Sequence, residues 1–186
     1  MDEISRLIEN EFKIEGLEKF AVIIGLNPSK TARSPLLWNA AFKANKLNIS
    51  MLPLDVEKRN LAKVLEILAY SNKFIGGSVT IPYKTDVATF LGDNLTEEAK
   101  SIGAINCIFK DEKNKMIGTN TDGEASLISF KKKFGEIKNK NILILGLGGA
   151  GKAVLSYFLK ELVNGKMYIT SLNENKFKFY KNYKNI

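Results

Sequence analysis

The 186-residue sequence predicts an α/β protein: a mainly parallel open sheet, followed by a second and smaller strand–helix–strand unit. Three observations predict it. Short apolar runs, FAVIIGL, ISMLPL and FIGGSVTIP, alternate with segments whose apolar residues recur at helical spacing, the pattern of a sheet covered on both faces. A later run, ILILGL, enters the glycine-rich turn GLGGAG and then the helical segment KAVLSYFLKEL. An apolar share of 45% over 186 residues supplies a real core for one large or two small domains.

Taken in order, Ile4, Leu7, Ile8 and Phe12 recur at helical spacing behind Asp2 and predict an opening amphipathic helix. FAVIIGL follows as a buried strand and NPSKTAR as a polar loop. A helix then begins, which Ser34 could cap with Pro35 at its first position, where Pro is tolerated. ISMLPL is the second strand, and residues 60–70 form a helix with Leu61, Val64, Leu65 and Leu68 on one face. FIGGSVTIP is the third strand, stopped by a Pro that cannot extend the ladder. Ligands of such sheets gather beyond the carboxyl ends of the strands, which puts Ser34 and Lys84 on one rim. GAINCIFK and MIGTN flank the polar turn DEKNK and predict a hairpin that carries Asn106 and Asp122 toward a common region. A helix from Asp122 to about residue 134 bridges to ILILGL, the glycine turn, a helix ended at Asn164-Gly165, and the strand KMYITSL.

Composition removes whole reaction classes. Without histidine there is no Ser-His-Asp triad, no Cys-His nucleophile and no imidazole zinc site, so acid–base work falls to Lys, Tyr, Asp or Glu. Cys107 is the only cysteine, which excludes an internal disulfide and a thiolate metal cluster and fits a reducing compartment. Inside AINCIF it reads as an inert core residue. No run approaches the roughly 20 apolar residues of a membrane span, so a cytoplasmic protein is expected. The net charge of +8 is spread over scattered lysines, a solvated surface that would also serve an anionic small molecule rather than nucleic acid.

Two segments look built for chemistry. SVTIPYK ends in Lys84 and GTNTDG carries Asp122, which makes them the best catalytic pair. Oxidising a secondary alcohol needs a proton to leave as hydride departs; burial favours a neutral amine, and a neighbouring carboxylate favours the ammonium and orients it. The bland readings are a surface lysine and, for Asp122, a helix cap. Gly146, Gly148 and Gly151 fit G-x-G-x-x-G between a strand and a helix, where a tight turn lets a pyrophosphate reach the helix N-terminus. The same stretch also reads as G-x-x-x-x-G-K, but Ala153 stands where a magnesium-binding hydroxyl belongs. A third reading is glycines that merely allow close helix–strand contact. The acid expected about 20 residues later is replaced by Ser171, Leu172 and Asn173, with Glu174 beyond; Lys176 or Lys178 could meet a 2′-phosphate, so NAD and NADP both stay open.

In order, P-x-x-x-x-x-S-P-x-x-x-N from Pro28, SVTIPYK, GAIN, GTNTDG and GLGGAGKA give a chain that resembles the shikimate dehydrogenase family from about residue 21 to 171. The resemblance implies a substrate-binding domain over residues 1–121, then a linker helix and a partial Rossmann dinucleotide-binding domain over 122–186. It implies NADP-dependent interconversion of 3-dehydroshikimate and shikimate in aromatic amino acid biosynthesis, with NAD possible and no metal. Lys84 and Asp122 would be the acid–base pair, Thr80 and Asn106 would hold substrate hydroxyls, and Ser34 would bind the carboxylate. The turn opened by Gly146, with the backbone of Gly148, Gly149, Ala150 and Gly151, would cradle the cofactor phosphates.

The chain departs from the family at several positions. Ala32 replaces a Ser of S-x-S-P, Thr31 and Trp38 replace two His, Ser78 replaces the Asn of N-V-T, and Ser171 to Asn173 replace N-R-T; Lys30 or Arg33 could compensate at the carboxylate. The second unit also stops after its second strand, whereas a full dinucleotide fold has two such halves. A truncated product, a split enzyme, or a sheet completed by a homodimer or a complementing chain is therefore expected. Two further readings are a non-catalytic shikimate-binding remnant and a nucleotide-triphosphate or nucleic-acid binder using residues 146–152 and the basic tail.

Overall fold

The computed structural model describes residues 2–172. Strands β1 (Lys19–Gly25), β2 (Ile49–Asp55), β3 (Phe74–Val79), β4 (Cys107–Lys110) and β5 (Met116–Thr119) form one sheet in the order β2-β1-β3-β4-β5. β1 pairs in parallel with β2 and β3, while β3–β4 and β4–β5 are antiparallel. The predicted hairpin is thus the antiparallel edge of an otherwise parallel sheet, and the whole is an α/β fold. β3 joins the two regimes through its glycine pair. A Cβ on Gly77 would lie 1.9 Å from the Val22 carbonyl oxygen, and one on Gly76, at φ +143°, would lie 2.5 Å from that of Ile108. Only glycine lets β3 sit this close to both neighbours.

The main core fills one face of this sheet. Val22 and Ile24 of β1 pack with Leu61, Val64, Leu65 and Leu68 of α4 (Leu61–Tyr70) and with Val87 and Leu91 of α5 (Lys84–Leu91). The periodicity of α4 is the predicted one. The opening helix is not: α1 spans only Asp2–Ser5, after which the chain runs on irregularly and Ile8 forms an isolated bridge with Val56. Ile4, Ile8 and Phe12 are still buried, so their spacing reports a buried segment rather than a helix. Glu9 N–H donates to the Asp55 carbonyl (2.9 Å), and Asn10 binds the β2 backbone, supplying hydrogen bonds a helix would otherwise provide. The loop NPSKTAR contains a short helix, α2 (Pro28–Thr31), ahead of α3 (Ser34–Ala44). Two more helices besides α2 were not anticipated, α5 and α6 (Glu97–Ile102); the latter is capped by Thr96 and closed by Gly103 at φ +67°.

The smaller unit comprises α7 (Asp122–Phe134), β6 (Ile142–Leu145), α8 (Gly149–Glu161) and β7 (Met167–Thr170), with β6 and β7 paired in parallel. Leu127, Ile144, Leu155, Phe158 and Met167 are its core. α7 lies close against α8, since a Cβ on Gly123 would stand 2.4 Å from the Ala153 carbonyl oxygen. Ile102, Ala104 and Ala153 form a further buried cluster that joins the two units. Ser171 and Leu172 follow β7; Asn173, Glu174, Lys176, Lys178 and the basic tail lie outside the described residues. No described helix is long and apolar enough to cross a membrane.

Candidate active site

Lys84 opens α5 directly after a turn containing the cis peptide Ile81–Pro82. The neighbouring Tyr83 is 1% exposed, and its hydroxyl donates to the Val56 carbonyl at 2.6 Å. The Lys84 carbonyl accepts from Ile105 N–H at 2.9 Å. The turn is therefore fixed to the residue that follows β2 on one side and to the segment before β4 on the other. From it the Lys84 side chain, 16% exposed, reaches Asp122, 28% exposed, and its ammonium pairs with Asp122 Oδ2.

The second carboxylate oxygen is also engaged. Asn106 Nδ2 donates to Asp122 Oδ1 at 2.7 Å and to Thr121 Oγ1 at 3.0 Å, while Thr121 N–H donates to Asn106 Oδ1 at 2.9 Å. Asp122 N–H donates to Asn120 Oδ1 (3.0 Å), and the buried Asn120 amide donates to the Ala104 carbonyl (3.0 Å). The reading of Asp122 as a cap is corrected here. Thr121 holds the N-cap position, and Asp122 turns its carboxylate to Lys84 and Asn106. Its charge still lies in the first turn of α7, where the helix dipole favours an anion.

Ser34 and Thr80 follow the carboxyl ends of β1 and β3, the adjacent parallel strands. Thr80 N–H donates to the Ile24 carbonyl (2.8 Å), and its methyl fills the space that a Cβ on Gly25 would occupy. Ser34 is half-buried at the first residue of α3. The expected cap is corrected as well, because Arg33 occupies the N-cap and no side chain caps this helix. Among the described residues, no side-chain hydrogen bond joins Ser34 or Thr80 to the Lys84, Asp122 and Asn106 cluster.

Three polar supports were assigned no role from the sequence, although Asn39 and Tyr83 stand within its motifs. Asp55, 4% exposed, accepts from Ser29 N–H at 2.8 Å and from the Ser29 hydroxyl, which fastens α2 and the approach to Ser34. Asn39 binds both the N–H (2.6 Å) and the carbonyl (3.1 Å) of Met51, completing the free edge of β2 as a further strand would. Tyr83, placed beside Lys84, is the third. On the opposite face of the sheet, Trp38, Phe42, Met51, Ile75, Ser78 and Cys107 line a cavity of about 230 Å³. Cys107 is half-buried on this cavity wall rather than in the core expected of it, and the burial it has pushes its thiol up.

The glycine turn meets this cluster from the other unit. Gly146 adopts φ +96°, and a Cβ on Gly151 would stand 2.0 Å from the Gly146 carbonyl oxygen, so both positions require glycine. Gly148 is the N-cap of α8 without a side-chain cap, and a Cβ there meets nothing within 4 Å. The first-turn N–H groups at Gly149, Ala150 and Gly151 have no partner within the helix and form the positive end of its dipole. This arrangement fits an anionic phosphate group such as a dinucleotide carries. It does not fit magnesium triphosphate, since Ala153 is fully buried against Ile102 and Ala104 and offers no hydroxyl. No cluster of metal-ligating side chains occurs among the described residues.

Known proteins similar to this chain point one way. Residues 23–108 match the model of the shikimate dehydrogenase substrate binding domain. The NADP(+) shikimate dehydrogenase of Carboxydothermus hydrogenoformans is 44% identical over 142 residues, covering 76% of this chain and 49% of that protein. That of Methanococcus maripaludis is 40% identical over 148 residues, with 80% and 52% covered. A shikimate dehydrogenase solved in complex with NADP+ superposes with a TM-score of 0.75 at 34% identity, covering 85% of this chain and 53% of that one. The Aquifex aeolicus shikimate dehydrogenase gives 0.79 at 30% identity, with 91% and 62% covered. The chain spans about half the length of the curated relatives it matches. With the substrate-binding domain matched and both units superposed on solved members, the chain belongs to the shikimate dehydrogenase family.

Proposed function

We propose that the Lys84–Asp122–Asn106 cluster is the acid–base centre of an NADP(H)-dependent oxidoreductase that interconverts 3-dehydroshikimate and shikimate. The single observation that carries this is the double engagement of Asp122, by the Lys84 ammonium on one oxygen and the Asn106 amide on the other, beside the glycine turn. Residues 1–121 would form the substrate domain, and residues 122–186 the linker helix and the cofactor unit. A bound nicotinamide would supply the hydride to the carbonyl carbon. Lys84 gives its ammonium proton to the developing alkoxide oxygen, so that carbonyl becomes secondary alcohol, and the neutral amine regains a proton from solvent. Asp122 holds the ammonium in place before transfer and, with Asn106, accepts or donates hydrogen bonds at the substrate hydroxyls. Thr80 binds a ring hydroxyl, and Ser34, with Lys30 or Arg33 nearby in sequence, binds the carboxylate. Gly146, Gly148, Gly149, Ala150 and Gly151 hold the phosphates.

The test is a shikimate titration followed by amide NMR. Shifts confined to residues around Ser34, Thr80, Lys84, Asn106 and Asp122 are expected, and they should vanish in Asn106→Ala. Saturable binding that moves none of these amides would reject the assignment of the site.

A further inference from the structure

We propose that Gly149 is a positioning residue for Lys84: its missing side chain makes the slot that lets the lysine stem reach Asp122. This rests on the reading of Lys84 as the proton donor. It departs from the usual account of a glycine in this turn, which is backbone access for phosphate. A Cβ at Gly149 would stand 2.9 Å from Lys84 Cβ and 3.2 Å from Lys84 Cδ, with Ala104 Cβ next at 3.5 Å. Lys84 Cβ is rooted at a fixed backbone and cannot swing aside, while Cδ can clear the added methyl only by turning the stem. Gly149 is the first residue of α8 and, unlike Gly146, does not occupy the left-handed region. Its backbone would admit alanine, and the contact alone excludes it.

The slot is rigid on all sides. The Lys84 carbonyl is tied to Ile105 N–H at 2.9 Å, and Tyr83 is anchored to Val56 at 2.6 Å, so the root of the lysine cannot retreat. On the other side α8 is pressed against α7 at Gly123 and against Ile102 and Ala104 through Ala153, so the helix cannot retreat either. An added methyl must therefore redirect the lysine stem and draw the ammonium off Asp122 Oδ2. The neighbouring Gly148 has open space at the same place and no part in this contact. The glycine turn thereby links the placement of the catalytic lysine to the seat of α8.

The experiment compares Gly149→Ala with Gly148→Ala. Lysine methylation by formaldehyde and borohydride, read by peptide mass spectrometry, should show Lys84 labelled severalfold faster in Gly149→Ala and at the wild-type rate in Gly148→Ala. With 3-dehydroshikimate and NADPH, Gly149→Ala should lower kcat on the order of tenfold to a hundredfold at saturating NADPH, beyond any change in KM for NADPH. Gly148→Ala should act on that KM instead. In a double-mutant cycle, Gly149→Ala should lower Tm by a few degrees in the wild type and by much less in a Lys84→Gly background, where both clashing atoms are gone. Unchanged Lys84 labelling, together with equal Tm losses in the two backgrounds, would overturn the proposal. Labelling and melting decide the contact even for a chain without turnover, an outcome that would instead reject the proposed reaction.

Discussion

The two units that meet at Lys84 are built to different degrees. In the β1–β5 unit the core runs unbroken from Ile4 and Phe20 to Ile108 and Met116, and buried polar residues tie down the loops: Asp55 on Ser29, Tyr83 on Val56, Asn120 on Ala104. In the β6–β7 unit the described residues cover only one face of a two-stranded sheet, and among them Leu143, Leu145 and Tyr168 stand 58%, 76% and 51% exposed. The difference teaches where the site takes its rigidity. Lys84, Asn106 and the loop before Asp122 inherit it from the first unit, while the second contributes the N-terminus of one helix, laid against a lysine already held.

Chemistry should break this comparison most sharply. Lys84→Ala should cost on the order of 10²- to 10⁴-fold in kcat for 3-dehydroshikimate reduction, the usual worth of a positioned acid, with the melting curve little changed. Asp122→Asn keeps the shape and the Asn106 contact but loses the ion pair; a kcat loss of roughly 10²-fold is expected in steady-state assays, and a loss confined to KM would argue against the pairing.

Stability should separate the two units next. Leu65→Ala opens a hole in the main core and should cost about 2–5 kcal/mol in urea unfolding, whereas Leu145→Ala removes an exposed side chain and should stay within about 0.5 kcal/mol. Equal losses would mean that the outer face of β6 is covered in solution. A smaller loss than that of Leu65→Ala is expected at Tyr83. Tyr83→Phe leaves the Val56 carbonyl without its donor, a loss of about 1–2 kcal/mol. Burial holds the Tyr83 phenol above the ordinary tyrosine range. An unfolded chain gives up that proton first, so the stability it confers is complete below about pH 10 and fades as pH rises beyond. Denaturation followed from pH 8 to 11 should show a shallower alkaline decline in Tyr83→Phe.

What could be read from the residues divides along the same physical line. That Lys84 would pair with Asp122 was legible in the segments SVTIPYK and GTNTDG, and the GAINCIFK–MIGTN hairpin could be seen to bring Asn106 and Asp122 together. Asp55, Ser29 and Tyr83 were not, since a buried carboxylate or phenol earns its place through partners 26 or 27 positions away that no local pattern reveals. Ile4, Leu7, Ile8 and Phe12 misled for the converse reason: spacing reports which side chains are buried, and tertiary contact with Val56 decided the backbone. The glycines of the turn were legible as a group, but four neighbouring glycines serve different needs. Gly146 supplies a positive φ, Gly151 a close backbone approach, Gly148 an open cap and Gly149 room for Lys84.

The most direct measurement is the rate of NADPH absorbance loss when the purified chain meets 3-dehydroshikimate, beside Lys84→Ala at matched folding. Turnover in the wild type that falls by at least about a hundredfold in the variant is the result expected of a positioned proton donor. Wild-type turnover that survives Lys84→Ala would contradict the assignment of Lys84, and a folded wild type that binds shikimate without consuming NADPH would leave a binding protein in place of the enzyme.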